Sequence, residues 1–250
     1  MDKLYHIQLD DSHGAKYAIL PGDPARVEKI ASLFDNPRLL GVNREYTTWL
    51  GTIEGEPVLA MSTGMGGPST AIGVEELHMT GVRNFIRVGT CGGMSLDVMG
   101  GDLVIATGAI RMEGTSREYL PIEFPAVADF ELTGCLTRAA REGGYRYHTG
   151  VVQCKDSFYG QHSPGRMPVA YELENKWQAW IKGGALASEM ESAALYIVCQ
   201  TLGAKAACIL NTIWNQERRE RGMDDTEDHD TMRGIRVAVD AIRRHILENR

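Results

Sequence analysis

The chain predicts an α/β domain: one unit spanning residues 1–250, with a mixed or largely parallel central sheet flanked by helices. Three observations carry that expectation. Short apolar runs alternate with amphipathic segments from end to end. Several of those runs stop at glycine, at the strand ends where open α/β sheets bind ligands. No internal repeat, low-complexity linker or compositional break divides the chain.

The elements follow in order. "KYAIL" reads as a strand ending at "PGDPARVEKIASLF", a turn and then a helix whose apolar positions include Val27, Ile30, Ala31 and Phe34. "VNREYTTW" reads as a strand carrying Arg44. "PVLAMST" is a strand that runs into "GMGGPST", where Ser69 and Thr70 are expected to cap a helix through Leu77. "NFIRVGT" ends at a glycine pair, and "DLVIATGAI", "TGVVQC" and "AACILNTIW" supply further strands. "GQHSPGRMPVAYELENKW" predicts a long loop into a helix. In "ASEMESAALYIV" the repeat from Glu189 onward predicts a helix with Met190, Ala193, Ala194, Ile197 and Val198 on one side and Glu191 close to that stripe. "NQERRERGMDDTEDHD" is too charged for a core and reads as a solvated loop or a lid over a cleft. The last segment sets Ile235, Val239, Ile242 and Ile246 on one stripe of an amphipathic helix.

Composition narrows the function. With 43% hydrophobic and 24% charged residues, the chain is ordinary for a globular protein. A formal charge of −7 disfavours nucleic acid or an anionic membrane as the main partner. No segment approaches the roughly 20 apolar residues of a membrane span, and the first 20 residues lack a signal-peptide pattern. The five cysteines show no C-x-x-C spacing and suit reduced thiols, so a cytoplasmic location is expected.

The chemistry-bearing residues gather at strand ends. Gly22 permits a tight turn in "ILPGDPARV", and Arg26 follows it. Arg87 lies on a strand, with Thr90, Gly92 and Gly93 at its end. Glycines 64, 66 and 67 let backbone amides approach a ligand, but "GMGGPST" is neither a Walker loop nor a dinucleotide fingerprint. Each piece alone is more often structural. Together, three arginines, a threonine hydroxyl and exposed amides suit a compact dianion such as phosphate, which arginine matches bidentately.

"PGDPARVEKIA", "REYTTW", "STGMGGPST", "RVGTCGG", "EFPAVADFE", "DSFYGQ" and "SEMES" occur in this order across nearly the whole chain. In them the chain resembles the nucleoside phosphorylase superfamily of trimeric and hexameric enzymes, and closely its uridine-cleaving members. The resemblance implies an α/β enzyme that cleaves a nucleoside with inorganic phosphate, giving a free base and ribose 1-phosphate, with no cofactor required. It implies a phosphate site at Gly22, Arg26, Arg87 and Thr90, completed by Arg44 from a neighbouring subunit. It assigns the ribose to Glu191, whose carboxylate accepts the sugar hydroxyls, to Met190 and Glu189 beside it, and to His6 crossing over from the neighbour. A homo-oligomer follows, in the form of a hexamer built from dimers.

Base choice rests on the loop "KDSFYGQHSPGRM". The resemblance implies that Phe158 stacks on the base, Gln161 makes an amide contact and Arg166 stabilises the carbonyl oxygens. Here the arginine comes five residues after the glutamine instead of two. Purine-cleaving relatives carry Ser-Asp after the strand "CIL"; this chain reads "NTIWNQE", where apolar Ile213 and Trp214 suit a pyrimidine wall. That feature disfavours a purine phosphorylase, and the phosphate arginines disfavour a hydrolytic nucleosidase or a non-catalytic nucleoside-binding protein. Where relatives close the site with an arginine, this chain has Gln216, with Arg218 and Arg219 nearby. The resemblance also implies a structural potassium site between subunits at Glu45, Ser69 and the carbonyl of Met65. Cys91, beside Thr90, is expected to be a small packed side chain.

Overall fold

The computed structural model describes residues 2–250, and one sheet of ten strands runs through them. The strands are β1 (Tyr17–Leu20), β2 (Asp35–Asn43), β3 (Tyr46–Ile53), β4 (Glu56–Met61), β5 (Asn84–Gly93), β6 (Leu103–Arg111), β7 (Ala126–Val127), β8 (Tyr147–Cys154), β9 (Ala187–Glu189) and β10 (Lys205–Asn215). The helices are α1 (Val27–Ala31), α2 (Gly67–Met79), α3 (Thr115–Tyr119), α4 (Phe130–Glu142), α5 (Phe158–His162), α6 (Ala170–Lys182), α7 (Ser192–Leu202), α8 (Gln216–Glu220) and α9 (Met232–Glu248). No helix among the described residues is long and apolar enough to cross a membrane.

The sheet is mixed, as expected for this α/β class. β1 pairs in parallel with β4 and β5, and β5 in parallel with β10; β6 pairs in parallel with β8, and β8 with β9. β10 meets β6, and β5 meets β9, antiparallel. Five strands therefore form a closed cycle, β5–β9–β8–β6–β10 and back to β5. A closed cycle leaves no unpaired edge among its members. The antiparallel β2–β3–β4 ribbon extends outward from β1.

Alternating strand residues feed two cores. Ala18, Leu20 and Phe85 pack with Val74 and Leu77 of α2 and with Leu195 and Val198 of α7. Ile19 and Ile86 face the other way, packing with Ile30 of α1, Leu132 and Leu136 of α4, and Ile235 and Ile242 of α9. Burying each such side chain is worth about 1.5–3 kcal/mol. A one-residue slip would exchange the two faces of a strand, so the double core holds its register.

Several local expectations are corrected. The helix expected from Glu189 starts only at Ser192. Residues 187–189 are a strand instead, and the Glu189 carboxylate accepts the backbone N–H groups of Glu191 (2.9 Å) and Ser192 (3.0 Å). Met190 therefore lies in the connection, not on a helical stripe. Arg44 is not on a strand. It occupies the turn between β2 and β3 with a left-handed φ of 54°. Ser69 and Thr70 do not cap α2, because the helix begins at Gly67 and both lie in its first turn. Thr70 Oγ1 donates back to Gly66 O at 3.0 Å. α1 ends at Ala31, and Phe34 is buried just beyond it.

The charged stretch after β10 is laced together. α8 opens it, and Arg219 pairs with Asp225 and Glu227, each at 2.7 Å, while Arg233 pairs with Asp228 at 2.7 Å. The segment lies directly on Gly100, where an added Cβ would sit 1.7 Å from Thr226 O and 2.9 Å from Ile213 O. Backbone on both sides gives a methyl group no room. Gly100→Ala is expected to destabilise the fold by about 1–3 kcal/mol, as overpacking does. It should also make the 221–230 segment the first site of proteolytic cleavage. Unchanged thermal unfolding and an unchanged cleavage pattern would refute this.

Candidate active site

A cavity of about 600 Å³ opens where the C-terminal ends of β1, β4, β5 and β10 meet β8 and β9 arriving from the opposite direction. β1 delivers Gly22 and Arg26, the segment after β4 delivers Gly64 and Met65, and β5 delivers Arg87 and Thr90. β9 and its continuation deliver Glu189, Met190 and Glu191. The two glycine turns touch: the Gly64 N–H donates to Gly22 O at 2.9 Å, and a Cβ on Gly22 would lie 2.9 Å from Gly64 O. Bulkier residues would prise these strand ends apart.

Arg87 is the centre of the polar end. It is 5% exposed and held between two carboxylates, with Nε donating to Glu189 Oε2 at 3.2 Å and Nη2 donating to Glu191 Oε2. Its third nitrogen, Nη1, is buried without a hydrogen-bond partner among the described residues. Such an orphan donor costs about 1–3 kcal/mol until something accepts from it. Burial opposes charge on the guanidinium, but Glu191 and Glu189 outweigh it and keep the group protonated. Arg26 is also largely enclosed; burial first, then the charge of Arg87, pull its pKa down. Two guanidiniums crowd one another, and an anion between them would relieve both.

The carboxylates have different surroundings. Burial alone would raise the Glu189 pKa. The charge of Arg87, with hydrogen bonds from Ser192 and from the Glu191 and Ser192 amides, overrides it and holds the group below the usual range. Glu191 is pushed up, by burial first and by Glu189 beside it, although Arg87 pulls it down. Its Oε1 accepts the Gly66 N–H at 2.7 Å. A carboxylate has about four acceptor positions, so Glu191 retains capacity for two hydroxyl donors.

The other end is aromatic and apolar. Phe158, His162, Ile213 and Trp214 line it. The Phe158 and His162 rings lie 4.3 Å apart, and His162 and Trp214 lie 5.5 Å apart. Neighbouring strand residues normally point to opposite faces, yet Ile213 and Trp214 both reach this cavity. The register shift between Thr212 and Trp214 against β5 explains it, since an inserted residue re-aims a strand. Arg219 lies over the Trp214 ring, its guanidinium carbon 4.4 Å from the ring centroid. Arg218 instead donates to Leu96 O at 2.7 Å and to Asp224 O at 2.6 Å.

Not every expected residue reaches this cavity. Gln161 lines an adjoining space of about 520 Å³, where its Nε2 donates to Gln216 Oε1 at 3.2 Å. Arg166 is exposed, lies outside both cavities, and rests over the Tyr159 ring at 5.7 Å. Its late position in the loop places it on a 3-10 turn after α5, too far along the chain to face inward. His6 and Arg44 also lie outside the cavity of their own chain. They share a patch in which Asn43 Nδ2 donates to His6 O at 2.7 Å and Arg44 lies 5.7 Å over the Tyr5 ring. His6 Nδ1 is 2.5 Å from Glu76. Ser69 Oγ donates to Glu45 Oε1 at 2.5 Å, which brings two of the expected potassium residues together, while the Met65 side chain is 84% exposed.

Two residues that the sequence reading passed over are present. Lys155 is 4% exposed and borders both cavities. Ser188 accepts from Lys155 Nζ at 2.6 Å and lies 2.6 Å from Gln161 Oε1. The signal in the sequence was a lysine directly after the apolar run "TGVVQC", where a strand end faces the site. Cys91 is packed as expected: it is buried, and burial pushes its thiol up to about 12.

Breaking the buried pair should be costly. Glu189→Ala removes one partner of Arg87 and the acceptor of two amides. It is expected to lower stability by about 3–5 kcal/mol, measured by denaturant unfolding. A loss below about 1 kcal/mol would mean that Glu191 alone satisfies Arg87.

Comparison with known proteins agrees with this geometry. The family model described as the phosphorylase superfamily matches residues 16–247. The uridine phosphorylase of Treponema pallidum is 56% identical over 248 residues, covering 99% of this chain and 96% of that protein. The uridine phosphorylase of Escherichia coli is 41% identical over 252 residues, covering 96% and 97%. The guanosine phosphorylase of Halorubrum lacusprofundi is 34% identical over 249 residues, covering 97% and 99%.

Proposed function

The chain belongs to the phosphorylase superfamily, and from that premise we propose that it is a uridine phosphorylase. It is a pentosyltransferase that uses inorganic phosphate as co-substrate and converts uridine to uracil and ribose 1-phosphate. The observation that carries this reading is Arg87. It has a buried, unpartnered donor on one nitrogen and is held by the carboxylate, Glu191, that has acceptor capacity left for a sugar.

The roles follow from placement. Gly22, Arg26, Arg87 and Thr90 hold phosphate at the polar end of the cavity. Glu191 accepts the ribose hydroxyls, Met190 packs on the sugar, and Glu189 holds Arg87 in place. Phe158, Ile213 and Trp214 enclose the pyrimidine, and Gln161 meets its edge from the adjoining space. A phosphate oxygen forms a bond to the anomeric carbon as the bond from that carbon to the base nitrogen breaks. The electron pair of the broken bond leaves on the base. Positive charge develops on the sugar during this exchange, and the neighbouring Glu191 carboxylate favours it.

Arg44 and His6 act on the site of a neighbouring copy, Arg44 toward phosphate and His6 toward the ribose 5′-hydroxyl. Their clustering in one patch outside their own cavity supports this. The assembly is a hexamer built from such dimers, located in the cytoplasm. A potassium ion bound by Glu45, Ser69 and the Met65 carbonyl joins two subunits, supported by the contact between Glu45 and Ser69.

Base release from uridine is expected to require inorganic phosphate and to yield ribose 1-phosphate, with inosine and guanosine far poorer substrates. Arg87→Ala should lower turnover by about 10²–10³-fold, as loss of a pre-organised charge stabiliser does. Equal release of uracil in phosphate-free buffer would replace this reading with a hydrolase.

The shared site has its own test. Arg44→Ala and Arg87→Ala proteins should each be nearly inactive alone. Co-expressed, they should form heterodimers in which one site carries both changes and the other neither, as a two-fold interface requires. Activity should then return in proportion to the heterodimer. Mixed dimers without recovered activity would show that Arg44 serves its own subunit.

A further inference from the structure

A base that leaves with the electron pair of its glycosidic bond carries negative charge, and something at its end of the cavity has to meet that charge. Arg26 and Arg87 belong to the cluster around Glu189 and Glu191. Arg166 lies outside the cavity. Arg218 is spent on backbone carbonyls, and Arg219 lies over Trp214, paired with Asp225 and Glu227, and is not in the cavity lining. Besides Arg26 and Arg87, the cavity lining holds one lysine or arginine among the described residues: Lys155, at the end of β8 and three residues before Phe158.

Lys155 is buried in an unusual way. A buried ammonium is normally paired with a carboxylate, because desolvating an unpaired charge is expensive. No carboxylate of the described residues comes within ion-pair distance of Lys155 Nζ, and its one hydrogen bond goes to Ser188 Oγ. An ammonium has three N–H donors. Two are therefore left for a ligand in a nearly closed space bordering both cavities. Burial lowers the Lys155 pKa, and the charges of Glu189 and Glu191 oppose that effect. His162 is pulled toward its neutral form by burial and by Lys155, so it does not offer a competing positive charge.

We propose that Lys155 is the catalytic residue that meets the departing pyrimidine, its ammonium donating to a carbonyl oxygen of the base as negative charge builds there. This rests on the reading of the protein as a uridine phosphorylase. No proton need transfer in the step; the ammonium neutralises charge and stays an ammonium. Ser188 holds Nζ at the boundary of the cavity. Gln161, bonded to the same hydroxyl, meets the same base edge from the adjoining space.

The test compares uridine with 5-fluorouridine, whose base is the stronger acid and leaves more readily as an anion. Lys155→Met is expected to lower kcat/KM for uridine on the order of 10²-fold. The loss for 5-fluorouridine should be distinctly smaller, and Lys155→Arg should recover part of the uridine activity. A structural role would lower both substrates equally, so equal losses, or none, overturn the proposal. It is overturned as well if Arg166→Ala, rather than Lys155→Met, changes the ratio between the substrates. Should Lys155→Met fail to fold, calorimetry on the unaltered enzyme decides. 5-Fluorouracil should bind more tightly as the pH rises through its ionisation, and no tightening sinks the idea. Phosphate-dependent cleavage of uridine by the unaltered enzyme is measured separately, so the assignment of function stands or falls apart from Lys155.

Discussion

The guanidinium of Arg87 lies between the carboxylates of Glu189 and Glu191, and the rest of the site is arranged around that contact. It joins three stretches of chain far apart in sequence: the strand bearing the arginine, the Gly66 turn bonded to Glu191, and the run from β9 through Glu191 into α7. A buried pair of this kind is not chosen for stability, since apolar residues of similar volume would often do as well. What it supplies is a fixed orientation. One nitrogen faces each carboxylate, and the third is buried without a partner among the described residues.

Around this centre the cavity separates two demands. The polar end is built from strand termini in a sheet covered on both faces. The aromatic end is built from the short helix α5 and the bulged end of β10. Relatives covered almost end to end by this chain are named for both uridine and guanosine.

The sequence made much of this legible, and the gaps have physical causes. Alternation of strands and helices, with glycine at strand ends, located Gly22, Arg26, Arg87 and Thr90 without a structure. The start of α7 was misread because three residues of strand show no periodicity. The two glutamates looked like the first turn of a helix, whereas Glu189 ends a strand and its carboxylate accepts the amides at the start of α7. Arg44 was assigned to a strand because a hairpin turn that uses a left-handed arginine lacks the usual glycine or asparagine signal. Ile213 and Trp214 were identified, but the bulge that turns both inward belongs to pairing with β5 and leaves no local trace. Lys155 follows a legible strand, but nothing local marks it as unpaired. Its isolation from carboxylates is a property of the folded surroundings, not of its neighbours in the chain.

The closed cycle of strands also bears on how the molecule comes into being during synthesis. β5 leaves the ribosome early, yet its partner β10 spans residues 205–215, and Arg87 meets a glutamate 104 positions later. Contacts so distant in sequence carry a loop-closure cost that is met only when the late segment is available. A nascent chain that stops before β10 has an open edge on β5 and no Ile213 or Trp214 for the base end. The cavity is thus complete only once β10 has been made, and until then the β5 edge is an open template for pairing with another chain.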